Sequence, residues 1–296
     1  MPSRHSLWLV AAPVVFLLLW SGGYAVAKIG LQYAPPMTLL ALRYACVVAV
    51  MGILYFILRP PLPIDGRNWA HLLLVGFLIQ AGYFGMTYLA FRSGVAAGTA
   101  ALIMSFQPIA VALIAPRWSG EYIGWKSWSG LGLALVGTIL VIVSRSEIEP
   151  PSIVGFAFAF LGLAGIIIAT LWEKKFGLSH HPVTANLIGY AAGLVGVLPL
   201  AVSLEDMHID WSWPFAGALF YLVVGNSLVA VGLLLAMIRA GEVAKVSTLF
   251  FLVPPVASLI AWLLLNEIMP PLAWAGMLIA GAGVWIATRK RNEAKL

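Results

Sequence analysis

The chain has 296 residues, of which 62% are hydrophobic and only 9% charged, against about 25% charged in an average soluble domain. Its 17 basic and 11 acidic side chains are too few to coat a soluble globule of this size, so lipid must face most of the surface. The formal charge of +6 therefore reads as membrane orientation and not as nucleic-acid binding, and the single Cys46, inside an apolar run, excludes an intrachain disulfide and a cysteine metal cluster.

A helix needs about 20 apolar residues to cross a bilayer. On that window the first half gives spans at 9–29, 36–58, 68–91, 94–115 and 125–144. The second half gives 152–172, 183–204, 213–237, 241–265 and 271–288, with short connectors rich in Pro, Gly or charge. Arg4 ahead of the first run, with Ala25-Val26-Ala27 at its end, imitates a cleavable leader. The run is longer than a leader core and has a counterpart in mid-chain, so it is read as a retained first helix. The expected fold is an all-α polytopic membrane protein of ten spans.

With the N-terminus inside, Arg4, Arg59, Arg67, Arg117, Lys126, Lys174, Lys175, Arg239, Lys245, Arg289, Lys290, Arg291 and Lys295 fall on the cytoplasmic side. Only Lys28, Arg92 and Arg145 fall outside, and Arg43 lies within the second span. This asymmetry predicts that both termini are cytoplasmic.

The two halves repeat. At an offset of 146, Lys28 meets Lys174, Pro36 meets Pro182, Thr38 meets Thr184 and Tyr44 meets Tyr190. At 147, Arg92 meets Arg239, Gly94 meets Gly241 and Pro108 meets Pro255. At 146 again, Glu121 meets Glu267, Trp128 meets Trp274, Gly130 meets Gly276 and Gly137 meets Gly283. Apolar composition does not supply such coincidences at Pro, Trp, Gly and charge. Two units are expected, 1–146 and 147–296. Each holds an odd number of spans, so they enter the membrane in opposite directions, as in alternating-access transporters with inverted repeats.

The stretch from Tyr88 onward, Y-L-A-F-R-S-G-V-A-A-G-T-A-A-L-I-M-S-F-Q-P-I-A-V-A-L-I-A-P, resembles the EamA domain of the drug/metabolite transporter superfamily, and Met237 to Lys290 looks like a second copy. Trp20-Ser-Gly with Lys28, and Ala41-Leu-Arg-Tyr44, are similar to that family's opening helices. The resemblance implies ten helices, a central cavity between the halves, and export of amino acids or related metabolites across a bacterial inner membrane. Aromatic amino-acid exporters of bacteria are the nearer likeness. Gln107 departs from the pattern, since the second half carries Pro254 before its shared proline.

Candidate substrate-binding residues lie on single helix faces. The ninth span places Ser247, Phe251, Pro254 and Ser258 together, mapping by the repeat onto Ala100, Met104, Gln107 and Val111 of the fourth. Pro108 and Pro255 are candidate hinges. The third span aligns Gln80, Tyr83 and Thr87, with Tyr88 adjacent; the first aligns Trp20, Tyr24 and Lys28. The eighth carries Tyr221, Asn226 and Ser227 near its middle, where an amide is costly unless paired. Arg43, seven residues into the second span, is a possible partner for a substrate carboxylate, with snorkelling to the interface as the alternative. Ordinary helix packing or interhelical hydrogen bonding is the competing role for all of the others.

Gly130, Ala134 and Gly137, matched by Gly276, Ala280 and Gly283, form small-residue stripes suited to close helix contact, while Glu121 and Glu267 suit helix starts. No Asp or Glu lies in mid-span, and the histidines read as terminal or loop-proximal, which favours facilitated transport over a carboxylate proton relay. No cofactor or metal motif and no enzyme signature is legible, and the expected partners are lipid and small molecules, not nucleic acid. Export of drugs or other amphipathic metabolites remains an alternative within transport, and a passive channel or structural membrane subunit one outside it.

Overall fold

The computed structural model describes residues 4–95, 97–119, 124–144, 153–177, 180–239, 249–250, 252–265 and 270–288, and all of its regular structure is helical. In chain order these are α1 (Arg4–Gly30), α2 (Pro36–Leu58), α3 (Gly66–Phe77), a π-helical segment (Leu78–Gly85), α4 (Met86–Arg92), α5 (Ala97–Ser105), α6 (Gln107–Ser119) and α7 (Trp125–Val143). Then follow α8 (Ile153–Phe176), α9 (Pro182–Leu204), α10 (Trp213–Phe220), a second π-helical segment (Tyr221–Ala230), α11 (Val231–Arg239), α12 (Val253–Leu265) and α13 (Pro271–Thr288).

Among the described residues, six helical stretches are long and apolar enough to cross a membrane. They include two that run continuously through the π-helical segments, Gly66–Arg92 and Trp213–Leu234. Val253–Leu264 and Pro271–Ala287 are shorter apolar helices.

Local chemistry sets the helix ends. α2 and α9 each begin with proline in the first turn, where a missing N–H costs nothing. α2 stops at Arg59, whose backbone is left-handed at φ 45° and whose N–H bonds Tyr55 O. The start of α2 lacks a local side-chain cap, and Glu205, just after α9, supplies one from across the fold. Its Oε1 accepts from Met37 N at 2.9 Å, and its Oε2 accepts from Thr38 N and Thr38 Oγ1, both at 2.7 Å. A carboxylate on these exposed N–H groups also meets the positive end of the helix.

The fourth apolar run of the sequence is not one straight helix. It breaks at Phe106, with Pro108 in the first turn of α6. Proline has no N–H and its ring crowds the carbonyl four residues back, so the preceding helix cannot run through it. The second half repeats the device: a turn at Phe250 and Leu252 precedes α12, whose first residues are Val253, Pro254 and Pro255.

The packing pairs across the two halves of the chain. α2 lies on α9 and α7 on α13, while α8 packs against the first π-helical segment and α4, and α1 against the second π-helical segment and α12. Glycine makes the closest of these approaches possible. A β-carbon on Gly76 would run into the backbone of Gly189, and one on Gly165 would sit 3.1 Å from Tyr83 N. The α7–α13 seam is built from the predicted small-residue stripes. A β-carbon on Gly130 would lie 2.7 Å from Gly283 O, and one on Gly137 would lie 2.5 Å from Gly276 O. The main core joins α1, α2, α4, α5, α8, α9, α10, α11, α12 and both π-helical segments; α7 carries a small satellite core around Leu131 and Ala134.

Candidate functional site

α2 places Arg43 at the centre of the main core, with no exposed surface. The side chain does not snorkel. Nε donates to Ser227 Oγ at 2.8 Å and Nη2 to Asn226 Oδ1 at 2.6 Å, both in the second π-helical segment. Nη1 donates to Tyr88 OH of α4 at 3.2 Å. The guanidinium carbon lies 4.7 Å from the ring centre of Phe84, a cation–π contact. Among the described residues its hydrogen-bond partners are thus neutral oxygens, and no carboxylate balances the charge. Taking a cation out of water is costly unless it is paired, so this arrangement favours an anionic guest.

A narrow cavity of about 10 Å³ lies beside this guanidinium, room for about one water and far below the roughly 300–1,000 Å³ of small-molecule pockets. Arg43, Asn226, Thr87 and Tyr88 form its polar side. Its aromatic side is Trp20 and Tyr24 from α1 with Tyr83, Phe84 and Phe91. Trp20 stacks parallel to Tyr83, 6.3 Å between centres and 10° between planes, and Tyr24 OH and Tyr83 OH share a hydrogen bond of 2.8 Å. Gly23 and Ala27 complete the wall along α1. Gly22 and Gly23 leave room there for Tyr221 and Asn226, which both donate to Leu19 O, at 3.1 and 3.2 Å.

Of the sequence candidates, the fold therefore brings Trp20, Tyr24, Tyr83, Thr87, Tyr88, Arg43 and Asn226 to one cavity. Others lie elsewhere. Gln80 is buried against Gly193 of α9, with Tyr44 OH on its carbonyl, and Tyr221 docks on α1. Met104 is buried toward Gly162 of α8, and Gln107 Nε2 donates to Thr170 Oγ1 at 3.0 Å. Pro108 and Pro255 sit at the two helix breaks. Ser247 and Phe251 lie outside the described residues, as do Glu121 and Glu267.

Sequence reasoning missed Phe84, Phe91 and Gly23 as lining residues, and it missed both π-helical segments. π turns cluster at functional sites, and here they carry Tyr83 and Phe84 on one side and Asn226 and Ser227 on the other. The sequence reads His71 as loop-proximal, and its partners are not legible there. His71 lies inside α3 and is 6% exposed, because its ring bridges to α8. Trp172 Nε1 donates to its Nδ1 at 3.1 Å, which leaves Nε2 to donate to Glu173 Oε2 at 2.8 Å.

The comparisons agree with this architecture. The EamA-like transporter family model matches residues 7–143 and again 153–289. A probable amino-acid metabolite efflux pump of Salmonella typhimurium is 26% identical over 284 residues, covering 92% of each chain. Its Escherichia coli namesake is 24% identical, again over 92% of each. A probable terminal-alkyne amino-acid exporter of Streptantibioticus cattleyicolor is 28% identical over 214 residues, 68% of each chain. A protein crystal structure superposes with a TM-score of 0.77 at 17% identity, covering 94% of this chain and 97% of that one, which speaks to fold alone. Matched by the family model in both halves, this multi-pass membrane chain belongs to the EamA-like transporter family.

Proposed function

We propose that the protein exports amino acids with aromatic or large apolar side chains, and related metabolites, across a bacterial inner membrane. The observation that carries this reading is the buried Arg43 charge with only neutral protein partners beside an aromatic-walled cavity. The cavity is closed down to about 10 Å³ in this structure; once the halves part and widen it, the guanidinium would take the substrate carboxylate, and the rings of Trp20, Tyr24, Tyr83 and Phe91 its side chain. The names of the related amino-acid metabolite efflux pumps support the coarser part of this reading, export of amino acids or their metabolites.

In this reading the chain forms ten spans as five plus five, with 1–146 and 147–296 as inverted repeats and both termini cytoplasmic. The exchange of partners between halves supports it, since α1 packs on the second π-helical segment and α8 on the first. Transport then proceeds by alternating access around the shared cavity. The absence of Asp and Glu from mid-span supports facilitated passage down the substrate gradient.

The test is flux into liposomes holding the purified protein, with labelled phenylalanine, tryptophan, threonine and a sugar nucleotide, with and without a proton gradient. Saturable phenylalanine flux with counterflow, indifferent to the gradient, supports the proposal. Flux of the sugar nucleotide alone overturns the substrate class, and flux that follows the proton gradient overturns facilitated passage.

A further inference from the structure

Two tyrosines outside the cavity hold the elements that build it. Tyr44 of α2 and Tyr190 of α9 are counterparts in the repeat, and both are buried to within 1% exposure. Tyr44 OH donates to the main-chain oxygen of Gln80 at 2.8 Å, and Tyr190 OH donates to that of Ser227 at 3.3 Å. Gln80 and Ser227 are themselves separated by the repeat offset of 147, and each lies within a π-helical segment. The two rings pack against each other, 5.5 Å between centres at 64°. One tether is thus repeated in each half, and the two meet where α2 crosses α9.

A π turn is a rare, short interruption of the α-helical register. A phenol donated to one of its carbonyls fixes the turn, because a carbonyl has a second lone pair to give. What each tether fixes differs. The first segment carries Tyr83 and Phe84, which form the aromatic wall. In the second, Ser227 is held at both ends: its carbonyl accepts from Tyr190, and its hydroxyl accepts from Arg43 Nε.

We infer that Tyr44 and Tyr190 are a matched pair of positioning residues for substrate, Tyr190 setting the Arg43 end of the cavity and Tyr44 the aromatic end. The inference rests on the cavity being the substrate site proposed above, and its test has one readout that does not depend on that reading.

The first readout is amide hydrogen exchange on the full chain in nanodiscs. Tyr44→Phe should speed exchange within 78–85, and Tyr190→Phe within 221–230, each without disturbing the other segment. No change in either segment overturns the inference, and so does faster exchange throughout the bundle, which marks a merely structural role.

The second readout is transport in liposomes. Tyr190→Phe should raise KM about tenfold for both phenylalanine and leucine, the worth of one buried hydrogen bond, with kcat held within about twofold. Tyr44→Phe should raise KM for phenylalanine more than for leucine. Unchanged KM values in a protein that transports both amino acids overturn the positioning role. Local exchange effects in a protein that transports no amino acid support the tethers and leave the substrate reading as the part that failed.

Discussion

Replacing Arg43 by lysine keeps the positive charge and removes the planar fork. In the structure that fork spreads over Ser227 Oγ at 2.8 Å, Asn226 Oδ1 at 2.6 Å and Tyr88 OH at 3.2 Å, drawing α2, α4 and the second π-helical segment together. An ammonium on a shorter reach is a point donor and cannot span the three. It also meets a carboxylate through one strong contact where guanidinium makes two. Loss of one charged hydrogen bond costs about 1.5–3 kcal/mol, so KM for phenylalanine should rise roughly tenfold to a hundredfold. The informative control is phenethylamine, which has the same ring and amine and no carboxylate. Reconstituted Arg43→Lys protein should lose much less affinity for the amine than for phenylalanine, since both feel the loosened cavity wall and only phenylalanine loses a carboxylate contact, with inhibition of labelled leucine flux as the assay. If the penalty is the same for phenylalanine and phenethylamine, Arg43 does not meet the carboxylate and the proposed site is wrong.

Gly137→Leu should unseat α13 from α7, because its β-carbon would lie 2.5 Å from Gly276 O and 2.8 Å from Ala280 Cα, and backbone does not yield. A loss of about 3 kcal/mol, at the upper end for overpacking, would appear as a lowered thermal midpoint in detergent; an unchanged midpoint refutes the close seam. Glu205→Gln removes the charge that caps α2 and sets an amide N–H₂ against one of its N–H donors. Being only partly buried, it should cost about 1 kcal/mol and speed hydrogen exchange at Met37 and Thr38, and unaltered exchange there would mean that the cap is dispensable. Pro108→Ala and Pro255→Ala should change flux per molecule more than they change expression, and equal flux would remove the hinge role from both helix breaks.

How far the sequence could be read follows from what each feature requires. Helix starts at Pro36 and Pro271, and the start at Pro182 to within one residue, were legible because the apolar runs begin there, and proline fits the first turn. The Gly130–Gly137 and Gly276–Gly283 stripes were legible because close approach demands small side chains at helical spacing. Arg43 stood out because a guanidinium in an apolar run demands an account. Its partners did not: Ser227 and Asn226 are 184 and 183 residues away, and spacing within one helix says nothing about which face meets which. The π-helical segments were illegible for a related reason, since one extra residue in a turn leaves apolar composition unchanged. His71 stands near the start of its helix, as the sequence places it, and only the fold shows that α8 covers that turn with Trp172 and Glu173.

The repeat is broken where the charge sits. At the offset that pairs Tyr44 with Tyr190, Arg43 falls on Gly189. Gly189 is the place where α3 comes closest to α9, since a β-carbon on Gly76 would collide with its backbone. A β-carbon on Gly189 itself would meet only Gly76 Cα, at an ordinary 3.5 Å, so the tight position of the pair is Gly76, and the cation is carried by the first half alone. The aromatic wall is lopsided in the same sense, because Trp20, Tyr24, Tyr83 and Phe84 all come from the first half, whereas the second contributes Asn226 at the cavity and Ser227 behind it. If the two access states are exchanged by the symmetry of the fold, the charge and the rings do not exchange with it. A substrate held by its carboxylate at Arg43 would then keep one orientation through the whole cycle, and the second half would serve as the moving partner that covers or uncovers it.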